Sequence, residues 1–200
     1  MTGASLGWSH RFLEAFAFAV KLHGQDVRKG SQVPYVAHVL GVCALVLYDG
    51  GSETEAIAAL LHDALEDHPE VVSREMIGER FGADVLAIVA ACTDTPSDYK
   101  GGPKPPWRQR KEAYLERMRT ADPRIVRVAL ADKLDNARIM LADLKQVGDS
   151  LWSRFRVGKE EQLWFYRSAI AAFREAGAVG FLIDALEEVV RRLEEHGKAG

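Results

Sequence analysis

The chain has 200 residues, 48% of them hydrophobic, with a formal net charge of -3 and only two cysteines. That length supports one substantial core and, by size, a single domain over residues 1–200. The weak negative charge argues against a broad basic surface for a nucleic acid polymer or an anionic membrane, so an anionic ligand has to meet a focused pocket.

Helical periodicity starts early. Ser9 is a plausible N-cap, and Phe12, Phe16, Ala19, Val20 and His23 then recur at three- and four-residue steps, which predicts a helix over about Ser9 to His23. A turn-rich basic segment (GQDVRKGSQVPY) follows, and the pattern resumes from Val36 to Tyr48 until Gly50-Gly51 ends it. Val39 to Tyr48 is the longest mainly apolar run and is about half a bilayer span. With no basic-then-apolar leader at the start, the expected location is the cytoplasm.

Ser52 caps a third helix expected to reach about Asp67, before Pro69. Short helices follow over Ser73 to Phe81 and Ala83 to Cys92, separated by Gly82. Cys43 and Cys92 sit in apolar helical stretches and read as buried thiols. The stretch Asp94 to Pro106 has the composition of a long loop, and loops of this length often act as lids. Helices over Trp107 to Arg119, from Asp122-Pro123 onward, over Lys159 to Glu175 and over Val179 to His196 complete an all-α reading. No convincing β-hairpin is visible.

The chemistry concentrates at His62, Asp63, Glu66 and Asp67. On a continuous helix these fall at about 0°, 100°, 40° and 140°, one side of the cylinder. Three acids converging on one imidazole repel unless a cation compensates them, and a divalent metal is the economical candidate. The alternative is a solvated C-terminal helix face, although the helix dipole disfavours acids there.

Further ligands must come from elsewhere in the chain. His38 lies on a face otherwise made of Val39, Val42 and Leu45, where a lone histidine is commonly a satisfied core residue. Asp132 interrupts the run from Ile125 to Ala131, where an unpaired carboxylate is expensive, so its burial demands a partner. Asn136 follows one turn later, with Lys133, Asp135 and Arg138 nearby, so this helix could present both a ligand and substrate-binding groups.

Six segments in order, HGQ-VRKG-PYVAH (His23 to His38), ALLHDALED (Ala59 to Asp67), FGADV (Phe81 to Val85), CTDT (Cys92 to Thr95), RKEAYL (Arg110 to Leu115) and ALADKLDNAR (Ala129 to Arg138), resemble the HD-domain phosphohydrolases. Within them the chain is most similar to the hydrolase half of the RelA/SpoT alarmone enzymes and to small alarmone hydrolases. The resemblance implies a helical bundle of about eight to ten helices. It also implies that His38, His62, Asp63 and Asp132 hold one divalent metal, typically manganese, and that Glu66 and Asp67 orient and deprotonate the attacking water. Arg28, Lys29, Arg110, Lys111, Asn136 and Arg138 match positions in or near the family's nucleotide pocket. The implied reaction is loss of the 3′-pyrophosphate from the guanine nucleotide alarmone (p)ppGpp.

Some residues depart from the family pattern. Val39 stands where proline is usual, Asp135 where histidine or tyrosine is common, and Ile139 where the long enzymes often carry threonine. Loss of that hydroxyl weakens the case for guanine selectivity, so NADPH or a nucleoside phosphate is an alternative substrate. A catalytically silent nucleotide sensor is a third reading, opposed by the intact Glu66-Asp67 pair. Between Arg154 and Arg167, the residues Arg154, Arg156, Lys159 and Tyr166 offer extra phosphate or ribose contacts, or a packed aromatic helix. An oligomer is compatible with the sequence.

Overall fold

The computed structural model describes residues 7–94 and 104–196, so Thr95 and most of the long loop expected over Asp94 to Pro106 lie outside the described residues. Among these residues there are ten α-helices and one 3-10 segment. They run α1 (His10–Leu22), α2 (Val36–Tyr48), α3 (Glu53–Leu61), α4 (Ala64–Asp67), α5 (Arg74–Phe81), α6 (Ala83–Cys92), α7 (Trp107–Arg119), α8 (Pro123–Val147), the 3-10 segment (Gly148–Arg154), α9 (Lys159–Glu175) and α10 (Phe181–His196). The all-α expectation holds. The β pairing among them is one isolated antiparallel bridge, Val27 to Pro34, which closes the loop between α1 and α2.

Two helices organise the interior. Every residue of α3 from Glu55 to Leu61 is buried, as expected of a helix apolar on all sides. Its alanines at 56, 58 and 59 leave room for α1, α2, α6 and α8 to approach. Glu55 is tolerated there because it completes a capping box with Ser52 and pairs with Arg127 of α8. The 25-residue α8 packs on α2, α3, α6, α9, α10 and the 3-10 segment, so its first half reaches the middle of the molecule. Asp122 accepts a hydrogen bond from Arg124 N (2.8 Å) and Pro123 opens the helix, where its missing N–H matters least. Between α5 and α6, Gly82 adopts φ 93°, a left-handed turn that side chains disfavour.

One expectation needs correction. The third helix does not run unbroken to Asp67: α3 stops at Leu61, His62 and Asp63 form a bend, and α4 restarts at Ala64. At Asp63 the backbone has φ -94° and ψ -7°, and its carbonyl accepts from both Glu66 N and Asp67 N. Glu66 and Asp67 therefore sit in the first turn of a new short helix and escape the dipole penalty expected at a helix C-terminus.

Candidate metal centre and nucleotide pocket

His38 comes from the first turn of α2, His62 and Asp63 from the bend between α3 and α4, and Asp132 from the middle of α8. Packing of α8 against α2 and α3 brings them together. His38 Nε2 lies 3.3 Å from Asp132 Oδ1 and 3.6 Å from Asp63 Oδ2, and His62 Nε2 lies 2.9 Å from Asp63 Oδ2 and 3.7 Å from Asp132 Oδ1. Donor atoms of His38, His62 and Asp132 all fall within 4.8 Å of one another, with both imidazoles and Asp132 buried.

The hydrogen-bond partners of the two imidazoles point to what this ring of donors lacks. His62 Nδ1 donates to the Ala59 carbonyl (2.8 Å), and His38 Nδ1 lies 2.6 Å from Asp135 Oδ2, to which it donates. In the neutral rings both Nε2 lone pairs then face carboxylate oxygens, and His62 Nε2 is buried without a well-directed hydrogen bond. Burial opposes a charged imidazole, yet Asp132, Asp135 and Asp63 outweigh it and push His38 up to about 9. Burial likewise opposes charge on His62, and Asp63 and Asp132 raise it well above its ordinary range. The site thus demands positive charge, and two imidazoles with two carboxylates suit a divalent first-row cation.

A second layer of contacts holds the ligands. Asp135 fixes the His38 ring in the tautomer that presents Nε2, the carboxylate–histidine arrangement common behind metals. Gly41, one turn along α2, makes room for it: a Cβ there would stand 2.5 Å from Asp135 Oδ1. Asn136 donates to Asp132 Oδ1 (2.5 Å), partly buried Lys133 pairs with Asp132 Oδ2 (2.5 Å), and Tyr35 donates to Asp63 Oδ2 (2.5 Å). The sequence reading missed the His38–Asp135 and Tyr35–Asp63 pairings. The available signal was Asp135 itself, a second carboxylate on the Asp132 helix.

Glu66 lies between Thr93, which donates to it (3.1 Å), and Lys104 (3.4 Å). Partial burial and the nearby Asp63 and Glu66 charges push the Asp67 carboxyl up to about 6.

Beside His38 opens a cavity of about 470 Å³, within the range of small-molecule sites. Arg28, Lys29, Lys111, Lys133 and Arg154 contribute cations, and aromatic walls come from Trp107, Phe155 and Tyr166. Arg28 donates to Asn136 Oδ1 (2.6 Å), linking the pocket to Asp132. Lys111 also pairs with buried Asp94 (2.8 Å). The structure does not bring every anticipated residue here. Arg110 is held by Asp94 and the Pro105 carbonyl, away from the cavity lining. Arg138 is exposed on the outer side of α8 beside the Phe181 ring. From the 154–167 segment, Arg154 and Tyr166 reach the lining, whereas Lys159 pairs with Asp149 (3.6 Å).

The HD domain family matches residues 15–158. Guanosine-3′,5′-bis(diphosphate) 3′-pyrophosphohydrolase MESH1 of Xenopus tropicalis is 38% identical over 148 residues, covering 72% of this chain and 75% of the relative. MESH1 of Drosophila melanogaster is 35% identical over 133 residues, covering 65% and 69%. Among solved structures, a metazoan ortholog of SpoT that hydrolyzes ppGpp and plays a role in starvation responses superposes with TM-score 0.74 at 29% identity, covering 94% of this chain and 97% of its own. The family match, the similar relatives and the convergent His and Asp side chains agree: the chain belongs to the HD domain family.

Proposed function

We propose that this protein is a metal-dependent phosphohydrolase of one domain that removes the 3′-pyrophosphate of (p)ppGpp. The observation that carries this reading is the convergence of two imidazole lone pairs on the Asp63 and Asp132 carboxylates, at the edge of a cation-lined cavity of about 470 Å³. The similar MESH1 relatives support the substrate assignment.

His38, His62, Asp63 and Asp132 would hold the cation, and Mn2+ suits this mixed nitrogen and oxygen set. A divalent ion there supplies Lewis acidity toward a phosphoryl oxygen and lowers the pKa of water. The remaining work belongs to the side chains. Arg28, Lys29 and Lys111 bind phosphate oxygens, and Asn136 ties Arg28 to Asp132, so substrate position and ligand position are set together. Glu66, steadied by Thr93 and Lys104, accepts the proton of the attacking water. Water adds OH to phosphorus, the bond from phosphorus to the ribose 3′ oxygen breaks, and that oxygen leaves with a proton. Asp67 helps orient the water. Ile139 lines the cavity where the base could lie and offers an apolar contact without a hydroxyl.

No helix among the described residues is long and apolar enough to cross a membrane, which accords with action in the cytoplasm. Product analysis tests the assignment. With Mn2+, ppGpp should give GDP and pyrophosphate, and pppGpp should give GTP and pyrophosphate. Inertness toward both, with release of phosphate from NADPH, would replace the alarmone by another nucleotide. Tight nucleotide binding with no turnover of any of them would favour the sensor.

A further inference from the structure

A second cluster of metal-ligating side chains lies outside the catalytic centre. His23 caps the C-terminus of α1, Asp26 follows in a turn closed by Asp26 N donating to the His23 carbonyl (3.1 Å), and His68 caps the C-terminus of α4. His23 Nδ1 is 2.9 Å from Asp26 Oδ2, His68 Nε2 is 2.8 Å from the same oxygen, and the two nitrogens are 3.3 Å apart. Donors about 2.0–2.1 Å from a common cation stand about 2.8–3.4 Å apart in octahedral or tetrahedral arrangement, so the three atoms are spaced as the edges of one coordination polyhedron.

Two further observations point the same way. His68 Nδ1 faces the exposed Glu70 Oε1 at 3.5 Å, a looser contact than the 2.6 Å Asp135–His38 hydrogen bond but on the same side of the ring, which leaves Nε2 toward Asp26. His23 is 1% exposed and its ring is fixed by Tyr35 at a centroid distance of 4.9 Å, so one ligand is held in place beforehand. His68 and Glu70 also line an open groove between α1 and α5, a route for ion exchange.

We propose that His23, Asp26 and His68 form a second divalent-cation site, taking a first-row transition ion of the Zn2+ or Fe2+ class through two imidazoles and one carboxylate. Three protein ligands leave positions open to water, so this ion exchanges more readily than a four-ligand structural metal. The site would tie the base of the Arg28-Lys29 loop to the end of α4, which carries Glu66 and Asp67. The Asp26 carbonyl also accepts from Tyr35 N (2.9 Å), and Tyr35 in turn donates to Asp63. Occupancy therefore bears on both the pocket and the catalytic ligands.

Metal stoichiometry tests this without reference to turnover. Chelated full-length protein is dialysed to equilibrium against Zn2+, bound zinc is counted by elemental analysis, and each variant's fold is verified by circular dichroism. Wild type should take up two equivalents, and His68→Gln, Asp26→Asn and His62→Gln one each. His68 and Asp26 are both partly exposed, so a folded variant at either position suffices for the test. A single equivalent in wild type that persists in His68→Gln and Asp26→Asn and vanishes in His62→Gln would overturn the second site and leave the catalytic centre standing. A single equivalent that vanishes in His68→Gln and persists in His62→Gln would support the second site while removing the metal from the proposed catalytic one.

Discussion

Gly41→Ala separates metal affinity from stability. A Cβ at position 41 would stand 2.5 Å from Asp135 Oδ1 and 3.2 Å from its Cγ, so the carboxylate has to retreat by roughly 1 Å to reach ordinary van der Waals contact. Asp135 Oδ2 now accepts from His38 Nδ1 at 2.6 Å, and that shift carries it to the edge of hydrogen-bond range. Loss of such a partner behind a metal ligand typically weakens metal affinity by about 10- to 100-fold. Alanine in a helix interior is favoured over glycine by about 1 kcal/mol, which offsets strain in the chelated protein. The expected result is therefore a chelated Gly41→Ala protein whose urea midpoint is equal to or above that of wild type, with Mn2+ affinity reduced by one to two orders of magnitude. In an Asp135→Ala background the same substitution should cost no further affinity, because the group it displaces is gone. Unchanged Mn2+ affinity in Gly41→Ala, or equal losses in both backgrounds, would refute a path through Asp135.

Glu66→Gln should lower kcat by about 10²- to 10⁴-fold while Mn2+ uptake stays at the wild-type level; an activity loss that tracks metal loss would deny Glu66 its role as base. Arg28→Ala removes a charge-assisted contact of about 1.5–3 kcal/mol, so kcat/KM should fall roughly ten- to hundredfold, and steady-state kinetics with ppGpp measures it. Asp67, raised to about 6 from an ordinary 3.8, binds its proton more tightly in the folded than in the unfolded chain. Its contribution to stability is therefore lost as pH rises from about 4 through about 6 and stays lost above. After discounting for solvent screening at this exposed position, chelated Asp67→Asn should gain up to about 1 kcal/mol over wild type at pH 7.5 relative to pH 4 in urea titrations. A gain confined to acid would reverse the sign and the reasoning.

Much of the fold is legible in the sequence because its punctuation is chemical. Gly50-Gly51 ends α2, Asp122-Pro123 starts α8, and Gly82 divides α5 from α6, each where apolar periodicity changes. The bend at His62-Asp63 is hidden, since the apolar run of α3 continues across it in sequence. The break arises from tertiary demands on the two side chains, which contact residues from α2, α8 and the preceding loop. Asp132 stands out in advance because an ionisable group inside an apolar run needs a partner, whereas His38 alone reads as a core histidine and the four-residue set follows from the resemblance to the HD-domain phosphohydrolases. The Asp135–Gly41 fit cannot be read in advance, because it depends on how closely α8 approaches α2. Asn136 and Arg138 stand about 200° apart around α8, which is why one turns toward Asp132 and the other outward to Phe181. The 3-10 segment Gly148–Arg154 has no periodicity to announce it, yet it delivers Arg154 to the cavity.

Anomalous diffraction at the manganese edge from Mn2+-soaked crystals tests the four-ligand centre most directly. A peak within about 2.5 Å of His38 Nε2, His62 Nε2 and carboxylate oxygens of Asp63 and Asp132 is the predicted result. Crystals of fully active protein with no anomalous density among those four side chains would contradict it.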